Sequence, residues 1–315
     1  MLASAYHEIP TKQKNGKTMT IRPRRSVLYM PGSNTRALEK GRTLPVDALI
    51  LDLEDSVAPD AKDTARQQVQ DALAQGGYAP REVIIRINAP DTPWFADDLA
   101  MVAAARPDAV LLPKVRNGED VRAMSRAMRE NGLGDTGLWI MMETPLAILN
   151  AGEIAATRKE TPLACMVMGT NDLARETGAS LAQERLAFLP WLATCVAAAR
   201  AHNLAIIDGV YNDFRNEEGF RAECQQGRLM GFDGKTLIHP AQIEAANAIF
   251  APTEEDVAWA EEIVKAFSLP ENAGRGAISL NGRMVERLHL EIAERTLSLA
   301  RAIAERQQHV SGEQS

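Results

Sequence analysis

The chain has 315 residues, 45% of them apolar and 24% charged, enough for one large domain or two ordinary ones with a full core. A net charge of −7 gives no general attraction to nucleic acid or to an anionic membrane, so the positive charge an anionic substrate needs must come from single arginines or bound metal. No apolar run reaches the ~18 residues of a membrane span. Three widely spaced cysteines (Cys165, Cys195 and Cys224) form no C-x-x-C pair and leave an odd total. They exclude a disulfide framework or zinc site and read as buried, inert thiols in a reducing, cytoplasmic setting.

Residues 1–24, ending in the IRPR of IRPRR (21–25), are polar and basic without an apolar h-region, so they read as a loose arm and not as a signal peptide. SVLYM (26–30) is the first strand candidate, and TRALEKGR follows a serine and asparagine suited to an N-cap. DALILDLE (47–54) precedes a helix, AKDTARQQVQDALAQ, that stops at Gly76-Gly77. EVIIRINA (82–89) and DAVLLPKV (108–115) come next, then the helical GEDVRAMSRAMREN and a turn in NGLGDTG (131–137). LWIMMET (138–144) and ACMVMGT (164–170) lead to QERLAFLPWLATCVAAARAH, a helical stretch in which Pro190 should kink or restart the helix. LAIIDGV (204–210) and GKTLIHP (234–240) complete eight compact apolar runs, the signature of strands buried on both faces.

Eight strand-then-helix units predict an α/β fold, a (β/α)8 TIM barrel. A doubly wound open sheet is disfavoured, since it usually stops earlier and no G-x-G-x-x-G follows the first strand. The expected layout is an N-terminal arm (1–24), a catalytic barrel (25–252) and a C-terminal extension (253–315). In the extension a helix, TEEDVAWAEEIVKAF, a hairpin, NAGRGAISLNGRMV, and a last helix, ERLHLEIAERTLSLARAIAERQ, follow one another. About 60 residues are few for an independent core, so this segment is expected to pack on the barrel or reach a neighbouring subunit.

Barrel chemistry belongs at the C-terminal strand ends. Polar residues recur there: Asp52-Leu53-Glu54-Asp55, Arg86-Ile87-Asn88, Lys114, Glu143-Thr144, Thr170-Asn171-Asp172, Asp208 and His239. Alternation turns Leu51 and Leu53 to the helices, and so Asp52 and Glu54 to the axis. Asp55 leads into the loop, where it serves equally well as a turn residue. Asp52 and Glu54 are either site residues or partners in a structural ion pair with Arg86 or Lys114. Glu143 and Asp172, from neighbouring strands and without a histidine or cysteine cluster, describe a hard, oxygen-liganded ion such as Mg²⁺. Arg86 offers a planar fork for a carboxylate or polarised carbonyl. The MPGSN turn ahead of a helix could receive an anion, a weak signal alone. Of five histidines only His239 lies at a strand end; His7 and His309 are in the tails.

Together SVLYMPGSNTRALEK, ALILDLEDSVAPDAK, IIRINAPDT, AVLLPKV, WIMMETPLAI, MVMGTNDLARE, DGVYNDFRNEEGF and MGFDGKTLIHPAQI resemble the citrate-lyase β-subunit-like branch of the HpcH/HpaI aldolase family. The branch includes CoA-ester lyases of malyl-CoA, β-methylmalyl-CoA and citramalyl-CoA. The resemblance spans nearly the whole chain from about Arg24. It implies a barrel enzyme assembled as a homotrimer or hexamer, with the C-terminal segment closing as a lid over a neighbour's site. It further implies that Glu143 and Asp172 bind Mg²⁺, that Arg86 holds the acyl group, and that Asp52 and Glu54 anchor metal-bound waters. Tyr29, Asn34, Lys40, Ile238 and His239 match positions lining the CoA and acyl pocket. The lid segment departs from the family's usual G-x-x-V/I-D: here it runs Gly282-Arg283-Met284-Val285-Glu286. The VERLH stretch, with MMET and DGVYNDFR, is most similar to members that hydrolyse (3S)-malyl-CoA to malate and CoA. C–C cleavage of a malyl, methylmalyl, citramalyl or citryl thioester is the alternative, as is a citrate lyase β subunit inactive on its own. Glu286 is expected to activate the attacking water in the hydrolytic case.

Overall fold

The computed structural model describes residues 21–312, so the arm expected over 1–24 lies almost entirely outside the described residues. Eight strands form the frame: β1 (Ser26–Pro31), β2 (Ala48–Asp52), β3 (Glu82–Arg86), β4 (Ala109–Leu112), β5 (Gly137–Met142), β6 (Leu163–Met168), β7 (Ala205–Asp208) and β8 (Gly234–Leu237). Each pairs in parallel with its sequence neighbour, and β1 pairs with β8, so the sheet closes into a barrel. The helices that follow the strands are α1 (Thr35–Gly41), α2 (Lys62–Gln75), α3 (Phe95–Ala105), α4 (Gly118–Glu130), α5 (Pro145–Leu149), α6 (Ala151–Ala156), α7 (Thr170–Thr177), α8 (Ala182–Arg185), α9 (Leu189–Ala201), α10 (Glu217–Met230) and α11 (Ile243–Ile249). Asn34 caps α1 by accepting from the Ala37 amide, and Gly76, at a positive φ of 70°, ends α2.

All eight expected strands are present, and β2, β3 and β7 end on the first polar residue of their tails, Asp52, Arg86 and Asp208. Period-two alternation sorts the apolar residues into two cores. Val27, Ala48, Ile50, Ile84, Leu111 and Trp139 fill the barrel, while Leu28, Leu49, Leu51, Ile85 and Leu112 pack under the helices.

The floor of the barrel is closed by the chain's own entry. Arg24 makes a two-bond fork with Glu82, at 2.7 Å each, and its guanidinium lies 4.7 Å from the centre of the Trp139 ring. The backbone here runs so close to β8 that a Cβ on Gly234 would stand 1.9 Å from the Arg24 carbonyl oxygen. Only glycine fits.

The helical stretch before β7 breaks at Arg185, ahead of the expected Pro190. Pro190 sits in the first turn of the restarted α9. Glu184 and Arg185 both adopt left-handed φ, at 55° and 60°. That geometry drives the Arg185 side chain inward, where it reaches Asp208 at 2.7 Å and Gln226 at 2.7 Å. Lys235 completes the cluster at 3.0 Å from Asp208 and 2.7 Å from Glu223.

From Ala251 the chain forms a second unit. It holds α12 (Glu254–Ser268), the antiparallel hairpin β9 (Ala277–Leu280) and β10 (Arg283–Glu286), and α13 (Arg287–Gly312). Asn281 and Gly282, both at positive φ, make the two-residue turn. Against expectation for so short a segment, the unit has an apolar cluster of its own, with Ile263, Phe267, Ile278, Val285 and Leu297 at its centre. Among the described residues no helix is long and apolar enough to cross a membrane.

Candidate active site at the barrel mouth

In the parallel ladder Asp52 stands in register with Arg86, and both face the axis. The consequence is a buried bidentate pair: Arg86 Nε donates to Asp52 Oδ1 at 2.6 Å and Nη2 to Oδ2 at 2.7 Å. The amides of Glu54 (3.0 Å) and Ser56 (3.1 Å) also donate to that carboxylate. Both oxygens are thus occupied by the chain's own donors. Burial pushes the Asp52 carboxyl up, but the Arg86 guanidinium outweighs it and holds the group below the usual carboxylate range.

The fork leaves Arg86 one outward arm. Nη1 lies 2.8 Å from Glu54 Oε2 and 3.5 Å from Asp55 Oδ2, and the guanidinium sits 4.9 Å from the Tyr29 ring centre. Glu54 Oε2 is buried and out of line with the N–H, so it accepts no hydrogen bond. Burial raises the Glu54 carboxyl to about 8 despite the arginine. Glu54, unlike Asp52, therefore has an oxygen that is ion-paired to Arg86 yet accepts no hydrogen bond.

On the opposite wall Glu143, fully buried, follows β5, and Asp172 lies in the first turn of α7. Glu143 Oε1 accepts from the Lys114 amide at 2.7 Å. The Lys114 ammonium stands 3.4 Å from the same oxygen and 2.7 Å from Asp172 Oδ1. Arg175 also reaches Asp172, at 2.6 Å. Glu143 Oε2 has no hydrogen-bond partner, and burial pushes this carboxyl up to about 6. A Cβ on Gly169 would fall 2.8 Å from that oxygen, so the space in front of it exists because residue 169 is glycine.

These features fit a small hard cation: two carboxylates turned to one point, a buried oxygen without a donor, and a bare glycine beside it. Among the described residues no three His, Cys, Asp or Glu side chains gather as a cage. Magnesium needs only one or two carboxylates and fills its shell with water and substrate oxygens.

The remaining expected residues are placed as follows. Asn34 is an exposed helix cap and Lys40 is exposed on α1. At the end of β8, Ile238 is exposed and His239 stacks on Phe214, ring centres 4.5 Å apart, while its Nδ1 accepts from the Ala241 amide. Glu286 ends β10 in the second unit. Asp208 does not belong to the mouth: its neighbour Ile207 faces the axis, so Asp208 points to the helices and is consumed by Arg185 and Lys235.

Two residues escaped sequence reasoning in their actual roles. Lys114 pairs with Glu143 and Asp172 and not with Asp52 or Glu54. Strict alternation from the outward Leu112 would send residue 114 outward, but Lys114 takes a left-handed φ of 55° that returns its side chain to the mouth. Gly169, in the quoted MGTND, was legible only as a strand end.

The family model described as HpcH/HpaI aldolase/citrate lyase matches residues 25–240. A (3S)-malyl-CoA thioesterase of Cereibacter sphaeroides (strain KD131 / KCTC 12085) is 50% identical over 282 residues, covering 90% of this chain and 96% of the relative. Citrate lyase subunit beta of Escherichia coli (strain K12) is 37% identical over 285 residues, covering 89% and 94%. The CitE protein of Mycobacterium tuberculosis, solved in complex with magnesium, acetoacetate and coenzyme A, superposes with a TM-score of 0.68 at 28% identity, over 88% of this chain and 97% of that one.

Proposed function

We propose, because this chain belongs to the HpcH/HpaI aldolase/citrate lyase family, that it is an Mg²⁺-dependent enzyme hydrolysing (3S)-malyl-CoA to malate and CoA. The observation that carries the chemistry is the meeting of Glu143 and Asp172 at one cation opposite the outward arm of Arg86. The choice of hydrolysis rests on the 50% likeness to the thioesterase. Glu143 and Asp172 would hold Mg²⁺, which supplies Lewis-acid polarisation of the hydroxy-acid end of the substrate.

The chain's own residues do the rest. Asp52 is a positioning residue that fixes Arg86 so that Nη1 faces the incoming acyl group. Tyr29 backs the guanidinium, and its phenol is pushed up by burial, so it stays neutral beside the anion. Glu54 offers Oε2, which accepts no hydrogen bond from the chain, to an ordered water. Asn34, Lys40, Ile238 and His239 border the path of the CoA arm. We place Glu286 as the base, brought by the C-terminal unit of a neighbouring copy in a homotrimer or hexamer. It takes a proton from water as the water oxygen bonds to the thioester carbon. The C–S bond then breaks, and CoA leaves as thiolate and collects the proton.

The likeness to citrate lyase subunit beta supports a second reading, C–C cleavage. There the hydroxyl proton is removed, the bond to the α-carbon of the thioester breaks, and the enolate is protonated by the lid acid. The two differ by one measurement. Malyl-CoA and Mg²⁺ are added to the purified protein and the products separated. Malate with free CoA supports hydrolysis; glyoxylate with acetyl-CoA overturns it in favour of the lyase. Because one methylene moves the lid carboxylate by about a bond length, and ~1 Å can cost ~10²-fold, Glu286→Asp should raise the cleavage product relative to malate. An unchanged ratio removes Glu286 from the choice of reaction.

A further inference from the structure

We infer that the Lys114 ammonium is a built-in counter-ion that competes with the divalent cation for Glu143 and Asp172 and withdraws when the cation binds. This rests on the magnesium reading of those two acids. Three observations carry it.

First, the ammonium stands where both carboxylates point, 2.7 Å from Asp172 Oδ1 and 3.4 Å from Glu143 Oε1. A unit charge there and a divalent cation on the same oxygens repel strongly at such range. Second, the residue serves Glu143 in two separable ways. Its backbone amide donates to Oε1 at 2.7 Å, a bond that survives loss of the side chain. Its left-handed φ of 55°, uncommon outside glycine, presents amide and ammonium to the same acid. Third, the side chain has somewhere to go. Lys114 is only partly buried and borders a mostly apolar cavity of about 670 Å³ whose wall carries Asp91, Asp120 and Glu176 along with Arg116. That wall holds three carboxylates against the one guanidinium of Arg116, so a released ammonium faces a net acidic lining and not apolar surface alone.

The three arrangements a side chain could take at this position make different predictions for the cation alone. Removing the charge while keeping the amide, in Lys114→Met and Lys114→Gly, takes the ammonium off both carboxylates and leaves Arg175 on Asp172. Keeping the charge, in Lys114→Arg, does not. Glycine also suits the left-handed backbone, so Lys114→Gly guards against a folding defect in the methionine variant.

The experiment titrates Mg²⁺ into the four full-length proteins calorimetrically and repeats their thermal melts with and without the ion. Lys114→Met and Lys114→Gly should bind Mg²⁺ about tenfold more tightly than the unaltered chain, and Lys114→Arg no more tightly. The two charge-free variants should also melt lower without the ion and gain more from it. Affinities that are equal or weaker in both charge-free variants overturn the inference and leave the magnesium reading standing. No binding by any of the four overturns that reading and the inference with it.

Discussion

Asp52 and Glu54 stand two residues apart on the same face of one chain segment, and burial raises both carboxyls, yet their net shifts have opposite signs. Asp52 is held ionised by four donors; Glu54 has none aligned and is raised to about 8. A carboxyl raised in the fold stabilises it while protonated. That contribution is complete below the ordinary glutamate value and disappears as pH climbs through about 8. The metal-free protein should therefore lose melting temperature between about pH 4.5 and pH 8, and Glu54→Gln should flatten the slope. A slope untouched by the substitution would place its origin elsewhere. At Gly169 an added Cβ would stand 2.4 Å from the Glu143 Cβ, a contact no rotamer relieves. Gly169→Ala should cost about 1–3 kcal/mol in denaturant unfolding and weaken Mg²⁺ binding together. At this scale the alternation of ALILDLED was enough to aim Asp52 and Glu54. Lys114 was not legible because a positive φ is invisible in its residue type. Asp208 was misread by position alone: the same alternation, applied from Ile207, would have turned it away from the mouth.

Among the elements, the break between α8 and α9 is set by a buried charge. Two consecutive non-glycine residues in left-handed backbone cost on the order of 1–3 kcal/mol each and persist only when their surroundings hold them. Here the holding group is Asp208, locked by Arg185 and by Lys235 and kept well below the usual carboxylate range by those cations against its burial. Arg185→Ala should lower the unfolding free energy by about 3 kcal/mol, the low end for breaking a buried pair because Lys235 remains. A loss under 1 kcal/mol by denaturant titration would show the cluster to be dispensable. The strands and helices themselves were readable from hydrophobic period, glycine stops and the asparagine cap. The displaced break was not, since QERLAF has ordinary helical composition and only tertiary contact with Asp208 pulls Arg185 inward.

For the molecule as a whole, among the described residues the buried barrel cores contain none beyond Phe250, and the buried cluster of the second unit begins at Ala260. A chain ending at Phe250 should keep one cooperative thermal transition by circular dichroism; a broad, non-cooperative melt would mean that the barrel depends on the later residues. Barrel closure was legible as eight repeated units, whereas the side-chain plug at its floor was not, because IRPRR reads only as basic. That plug has a practical consequence for handling the protein. The Arg24 side chain is bonded to Glu82 and stacked on Trp139, and its carbonyl lies against Gly234. A purification tag or protease cleavage point belongs upstream of residue 21. One cut between Arg24 and Arg25 would leave a charged amine at the seam where first and last strands meet, and unplug the barrel from below.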